Sequence, residues 1–219
     1  MTKYTITNDW HIGSAVCQHQ KIINLLKHLD TQVLVLNGDI IDIDHVRRLK
    51  KKDWEILTLL RKLSKHVRII YLPGNHDRQI SELISNLLGL EHMDKFEVLL
   101  GDKKALVIHG DGFDNFLSKY WLVTEIATGL YYYLQKFSTK RQVIARSLKR
   151  RSKRFIKCCE NIKKGAKAFA RAEKYDYIIC GHTHASDIDL PYINTGCFTE
   201  VDCAYVEIGD DNVPTIKHI

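Results

Sequence analysis

The chain has 219 residues, 45% hydrophobic and 27% charged, and its 33 Lys and Arg against 26 Asp and Glu give a formal charge of +7. This suits a globular domain with its own core, and no uncharged apolar run reaches the ~20 residues that a membrane-spanning helix needs. The opening MTKYTITNDWHIG has no apolar signal core, and the six cysteines form no CxxC pair, so free thiols and a cytoplasmic location are expected.

Tyr4–Thr7 and Val33–Leu36 are runs of β-formers that end at polar clusters, Asn8-Asp9 and Asn37–Asp39. Between them, Ile22, Ile23, Leu25, Leu26 and Leu29 recur at helical spacing, and Trp54, Ile56, Leu57, Leu59, Leu60 and Leu63 repeat the pattern. Val67–Leu72 reads as a strand stopped by Pro73-Gly74, and Ile80–Leu88 as a short helix. Phe96–Leu100 and Lys104–His109 follow as strands, paired across Gly101-Asp102. Residues 113–174 contain no proline and read as two or three helices, an inserted helical cap within a single domain spanning 1–219. Strands return at Tyr177–Cys180, Tyr192–Asn194, Cys203–Ile208 and Pro214–Lys217. The order of elements predicts an α/β layered fold of mixed sheets covered by helices.

The charge is concentrated in one place. From Lys136 to Lys174 there are fifteen basic residues, including Lys149, Arg150, Arg151, Lys153 and Arg154, against Glu160 and Glu173. The block carries +13, and the rest of the chain −6. Ahead of it runs an aromatic and aliphatic stripe from Tyr120 to Phe137. This is either a packed helix or an apolar cap face beside a basic one, an arrangement suited to an anionic membrane surface. Nucleic acid is the other polyanion such a block can bind, although Phe155 is the single aromatic residue from Lys140 to Lys167.

Five polar clusters stand where strands end: Asp9-Trp10-His11, Gly38-Asp39-Ile40-Ile41-Asp42, Gly74-Asn75-His76-Asp77, His109-Gly110-Asp111 and Gly181-His182-Thr183-His184. Strand C-termini are where α/β folds place their sites. Imidazole together with carboxylate and amide oxygen suits Mn, Fe, Zn or Co, with Mn the first choice and Mg an alternative. Asp9 and His11 are two apart, so they share a face only if a turn intervenes.

The motif order DxH, GDxxD, GNHD, a lone His and GHxH resembles the calcineurin-like metallophosphoesterase superfamily. TNDWHIG, YLPGNHD, VIHGDGFD and ICGHTH…NTGCF are similar to its UDP-2,3-diacylglucosamine pyrophosphohydrolase-like branch. The resemblance implies a two-sheet sandwich flanked by helices and two divalent metal ions. It assigns Asp9, His11 and His184 to one ion, Asn75, His109 and His182 to the other, and Asp39 to both. His76 becomes the acid that faces the substrate, Asp77 the group that orients it, and Asp42 a support for the loop after Asp39. The chain departs from that branch at one position, with His76 where its best-known members have Arg. The implied reaction is hydrolysis of a phosphoanhydride or phosphodiester bond without a covalent intermediate. The expected substrate is a UDP-diacylglucosamine-like nucleotide-diphosphate lipid at the inner membrane face, with Arg78 and the basic residues 149–154 binding it. The alternative is a nuclease or cyclic-nucleotide phosphodiesterase.

Overall fold

The computed structural model describes residues 2–43, 49–114 and 153–219, excluding the side chains of 153–155. Among the described residues eleven strands are formed: β1 (Thr2–Thr7), β2 (Thr31–Asn37), β3 (Arg68–Leu72), β4 (Glu91–His92), β5 (Phe96–Leu100), β6 (Lys103–Val107), β7 (Tyr177–Cys180), β8 (Asp187–Asp189), β9 (Tyr192–Asn194), β10 (Ala204–Ile208) and β11 (Pro214–His218). The described residues also form the α-helices α1 (His19–Lys27), α2 (Lys51–Leu63), α3 (Ser81–Leu88) and α4 (Lys153–Ala172).

The strands form two mixed sheets, ordered β11-β10-β1-β2-β3-β4 and β5-β6-β7-β9-β8. β1, β2 and β3 run parallel, as do β6, β7 and β9. Between the sheets, Ile6, Val35, Ile70 and Val206 meet Val107, Ile179 and Ile193. On the outer face of the first sheet, Ile22 and Leu26 of α1 and Ile56 and Leu60 of α2 cover Leu34, Leu36 and Tyr71. On the outer face of the second, Ala166 and Ala170 of α4 cover Leu106, Ile178 and Tyr192. Strands buried on both faces explain why β2, β3 and β7 read as continuous apolar runs rather than alternating ones. The result is the expected α/β sandwich, with helices on both sides.

Two strands escaped the sequence reading. β4 has two residues, and β8 is Asp187-Ile188-Asp189, too short and too charged to show periodicity. The β8 carboxylates have a structural use: Lys163 of α4 lies 2.7 Å from Asp187 and 3.1 Å from Asp189, and Lys167 lies 2.7 Å from Asp189. Two charges of the basic block are therefore neutralised within the fold. Of the expected cap at 113–174, the Tyr120–Phe137 stripe and Lys149, Arg150 and Arg151 lie outside the described residues, as do the side chains of Lys153 and Arg154. No helix among the described residues is long and apolar enough to cross a membrane. None of the six cysteines is joined in a disulfide.

Asp53, buried in the first turn of α2, ties that helix to the loop after β1. Its carboxylate accepts hydrogen bonds from the backbone N–H groups of Lys50 (2.6 Å) and Gly13 (3.1 Å) and faces His19 Nε2 at 2.6 Å. Gly13 is two residues beyond His11, so this carboxylate fixes the exit of a site loop. Asp53→Ala is expected to cost about 1–3 kcal/mol, because buried donors lose their acceptor. Urea unfolding measures it, and a loss under about 0.5 kcal/mol would show that the tie carries no load.

Candidate active site

All five polar clusters converge at the C-terminal ends of β1, β2, β3, β6 and β7. The turn that the Asp-x-His spacing requires is a left-handed backbone: Asp9 has φ 51° and His11 φ 47°. Trp10 between them points the other way, fully buried, with its indole N–H on Thr7 Oγ1 at 2.8 Å and its ring edge-on to Phe198. His182 (φ 66°) and His184 (φ 60°) repeat the device around Thr183, and Asp39 has φ 54°. Left-handed non-glycine residues cost on the order of 1–3 kcal/mol each and concentrate at functional sites. The loops after β1 and β2 also continue the parallel pairing beyond the strands. Asp9 N–H bonds to Gly38 O (3.1 Å), His11 N–H to Asp39 O (3.0 Å) and Ile12 N–H to Ile40 O (2.9 Å).

The carboxylates sit at the centre. Asp9 Oδ2 accepts from Asn8 Nδ2 and from the His182 N–H at 2.9 Å, so Oδ1 faces His184 Nε2 at 3.2 Å and His11 Nε2 at 3.7 Å. Asp39 Oδ1 accepts the His76 N–H at 2.8 Å. Its Oδ2 lies between His109 Nε2 at 3.3 Å and His11 Nε2 at 3.8 Å. Two three-ligand groups result, Asp9-His11-His184 and Asp39-His109-His182. Asn75 stands at the start of the turn after β3 with an exposed side chain. Glycines permit the close approach. A Cβ on Gly74 would lie 2.8 Å from Asp39 Cγ, and one on Gly38 would lie 2.6 Å from His109 Cγ.

The donor set fits cations. Asp9 Oδ1, His11 Nε2 and His109 Nε2 are buried and make no hydrogen bond among the described residues. Such orphaned atoms are costly unless an ion occupies the space between them. His109 Nδ1 contacts Asn37 O at 2.8 Å and His184 Nδ1 contacts Thr199 Oγ1 at 3.1 Å, which leaves each Nε2 directed inward. Electrostatics point the same way. Burial opposes charge on His11, yet Asp42, Asp9 and Asp39 outweigh it and push that imidazole up to about 10. Burial likewise opposes charge on His109, and Asp39 and Asp9 push it up to about 10. Burial would raise Asp9 and Asp39, but the surrounding histidines hold both below the usual carboxylate range. The cavity favours positive charge.

Around this centre the residues divide differently from expectation at one point. Asp77 does not orient His76. Its buried carboxylate accepts from Ile40 N–H (2.7 Å), Gly74 N–H (2.7 Å) and Tyr71 OH (2.6 Å), which locks the Asp39 loop to the turn after β3. The carboxylate facing His76 is Asp42, with Oδ1 3.8 Å from His76 Nδ1 and Oδ2 3.9 Å from His11 Nδ1. Both aspartates lie within the quoted motifs, and the resemblance assigned the contact with His76 to Asp77. Arg78 is exposed and pairs with Asp111 at 2.7 Å. Cys180, next to Gly181, is fully buried, and burial pushes its thiol up, so it serves packing and not nucleophilic attack.

The profile of the calcineurin-like phosphoesterase family matches residues 2–186, and the chain belongs to that family. It is a metal-dependent hydrolase. No curated protein matches the chain. Among solved structures, an archaeal phosphodiesterase is similar at 15% identity over 99% of both chains, with a TM-score of 0.51. The E. coli phosphoesterase Yfce is similar at 15% identity over 99% of this chain and 97% of its own, with a TM-score of 0.48. A dimetal phosphatase from Danio rerio is similar at 12% identity over 98% and 95%, with a TM-score of 0.47. At such identities the likeness speaks to fold alone, and the archaeal protein carries it.

Manganese should stabilise the protein against heat through this site. An ion at 100 times its dissociation constant adds about 2.7 kcal/mol per site. A scan with and without Mn2+ should show a Tm rise in the wild type and a smaller one in Asp39→Ala. Equal rises would mean the ions bind elsewhere.

Proposed function

We propose that the chain hydrolyses phosphodiester or phosphoanhydride bonds at a two-metal centre. The observation that carries this reading is the placement of Asp39 Oδ2 between His11 and His109, which joins the two ligand groups through one carboxylate. Asp9, His11 and His184 would hold one ion, Asn75, His109 and His182 the other, and Asp39 both. When bound, two such ions supply Lewis acidity and an activated water for in-line displacement at phosphorus. His76 is the proton donor to the departing oxygen. Its Nδ1 faces Asp42, which leaves Nε2 for the substrate. Burial opposes charge on His76, but the Asp42 carboxylate raises its pKa and so favours the protonated donor. Asp77 acts at a distance from substrate, by fixing the loops that present Asp39 and His76.

For the substrate we favour a UDP-diacylglucosamine-like nucleotide-diphosphate lipid taken from an anionic membrane face. The support is the motif similarity around TNDWHIG and NTGCF and the basic block, of which Lys164 and Arg171 are exposed on α4. A phosphodiesterase acting on nucleic acid or a cyclic nucleotide is the second reading, favoured by His76 in place of Arg and compatible with the fold shared with the archaeal phosphodiesterase.

Asp39→Ala is expected to abolish hydrolysis of bis(p-nitrophenyl) phosphate in the presence of Mn2+, and retained turnover would remove the shared-ligand role. Asp42→Asn withdraws the charge that favours imidazolium, so His76 loses its proton at lower pH. The alkaline limb of the kcat profile should then move to lower pH, whereas Tyr71→Phe, which removes the hydroxyl that donates to Asp77, should lower Tm without moving that limb. A product assay comparing UDP-diacylglucosamine, single-stranded DNA and cyclic nucleotides separates the substrate readings.

A further inference from the structure

Asp114 lies beyond the strand-end motifs, three residues past Asp111 on the segment that leads out of the described body. It is buried, with 7% of its surface exposed. A carboxylate that secluded needs specific partners. Its Oδ2 is 3.4 Å from His182 Nε2 and accepts from Cys158 Sγ of α4 at 3.1 Å. The position of Asp114 is set by packing just before it. Phe113 lies against α4 at Gly165, where an added Cβ would come within 3.4 Å of the Phe113 Cβ, and its ring stands 5.7 Å from that of Phe169.

The other inward histidines show what such an oxygen does. His109 and His184 each engage one ring nitrogen with an outer oxygen, on Asn37 and Thr199 respectively, and turn the other nitrogen to the centre. His182 does the same with the two ring nitrogens exchanged: the nitrogen engaged is Nε2, so Nδ1 is the one left for an ion.

We propose that Asp114 is a positioning residue that holds His182 in the Nε2–H tautomer, with Nδ1 as its metal-binding atom, and couples that ligand to α4. This rests on the two-metal reading. A carboxylate on the far nitrogen fixes ring orientation and raises ligand basicity, and losing one commonly costs 10–100-fold in metal affinity. Because Cys158 donates to the same oxygen, α4 bears directly on the ligand group that contains His182.

The test is calorimetric titration of chelator-treated full-length protein with Mn2+, alongside long-range 1H–15N correlation of the Zn2+-loaded protein. Wild type should bind two ions per chain. Asp114→Ala should bind one with unchanged affinity and the other about 10–100-fold more weakly. Asp114→Asn, which keeps the shape and an acceptor oxygen, should fall between, and it carries the test if the alanine variant fails to fold. The spectrum should show His182 protonated at Nε2. Wild-type affinity for both ions in Asp114→Asn and Asp114→Ala, or a proton on His182 Nδ1, would overturn the proposal while leaving the two-metal centre intact. A wild type that binds fewer than two ions would instead overturn the centre, and this inference with it.

Discussion

Burying Asp9 and Asp39 at the ends of neighbouring parallel strands is the constraint on which the site depends. Asp9 is 0% and Asp39 2% exposed, and each carboxylate opposes the ionisation of the other. Isolated buried charges of one sign are prohibitive, so the fold must surround them with positive or hydrogen-bonding groups. It does so with backbone N–H groups from His76 and His182 and with imidazoles from three strand ends. One oxygen of each carboxylate is satisfied by the protein and the other is kept for the centre. That division makes a cation site out of what would otherwise be an unstable core.

The sandwich makes this division reachable. β1 and β2 bring Asp9 and Asp39 side by side because they are adjacent in one sheet. β6 and β7 bring His109 and His182 from the other sheet, and the His182 N–H on Asp9 stitches the two together. Left-handed residues at Asp9, His11, Asp39, His182 and His184 turn every second side chain inward. Their cost is met by extended pairing of the loops after β1 and β2 and by the Asp77 carboxylate, which holds two loops and a tyrosine at once. Asp53 plays the corresponding part on the far side of the His11 loop.

The carboxylates of the site and the basic block belong to different parts of the chain. The acidic body contains the carboxylates of the site, and the basic block contributes α4, which packs on the second sheet through Ala166 and Ala170. Lys163 and Lys167 fold onto Asp187 and Asp189 and stabilise that packing, while Lys164 and Arg171 face outward. Part of an apparently uniform charge run is therefore structural.

Much of this was legible in the sequence because local rules govern it. Hydrophobic periodicity revealed the long strands and helices, and the residue types at five strand ends identified the metal-binding class of chemistry, since His with Asp suits few other purposes in such density. β4 and β8 were not legible, because two or three residues carry no period. What tertiary structure alone decided was partnership. Asp42, not Asp77, faces His76 because the turn after β3 directs Asp77 back beneath the Asp39 loop. Asp114 meets His182 because α4 presses Phe113 into place from a distant part of the chain. The +7 of the whole chain separated in sequence into a −6 body and a +13 block, but only packing showed which of those charges are internally balanced. Residue type is a property of the sequence, whereas which of two chemically equal carboxylates reaches a given nitrogen depends on distances that exist only once the sheets have closed.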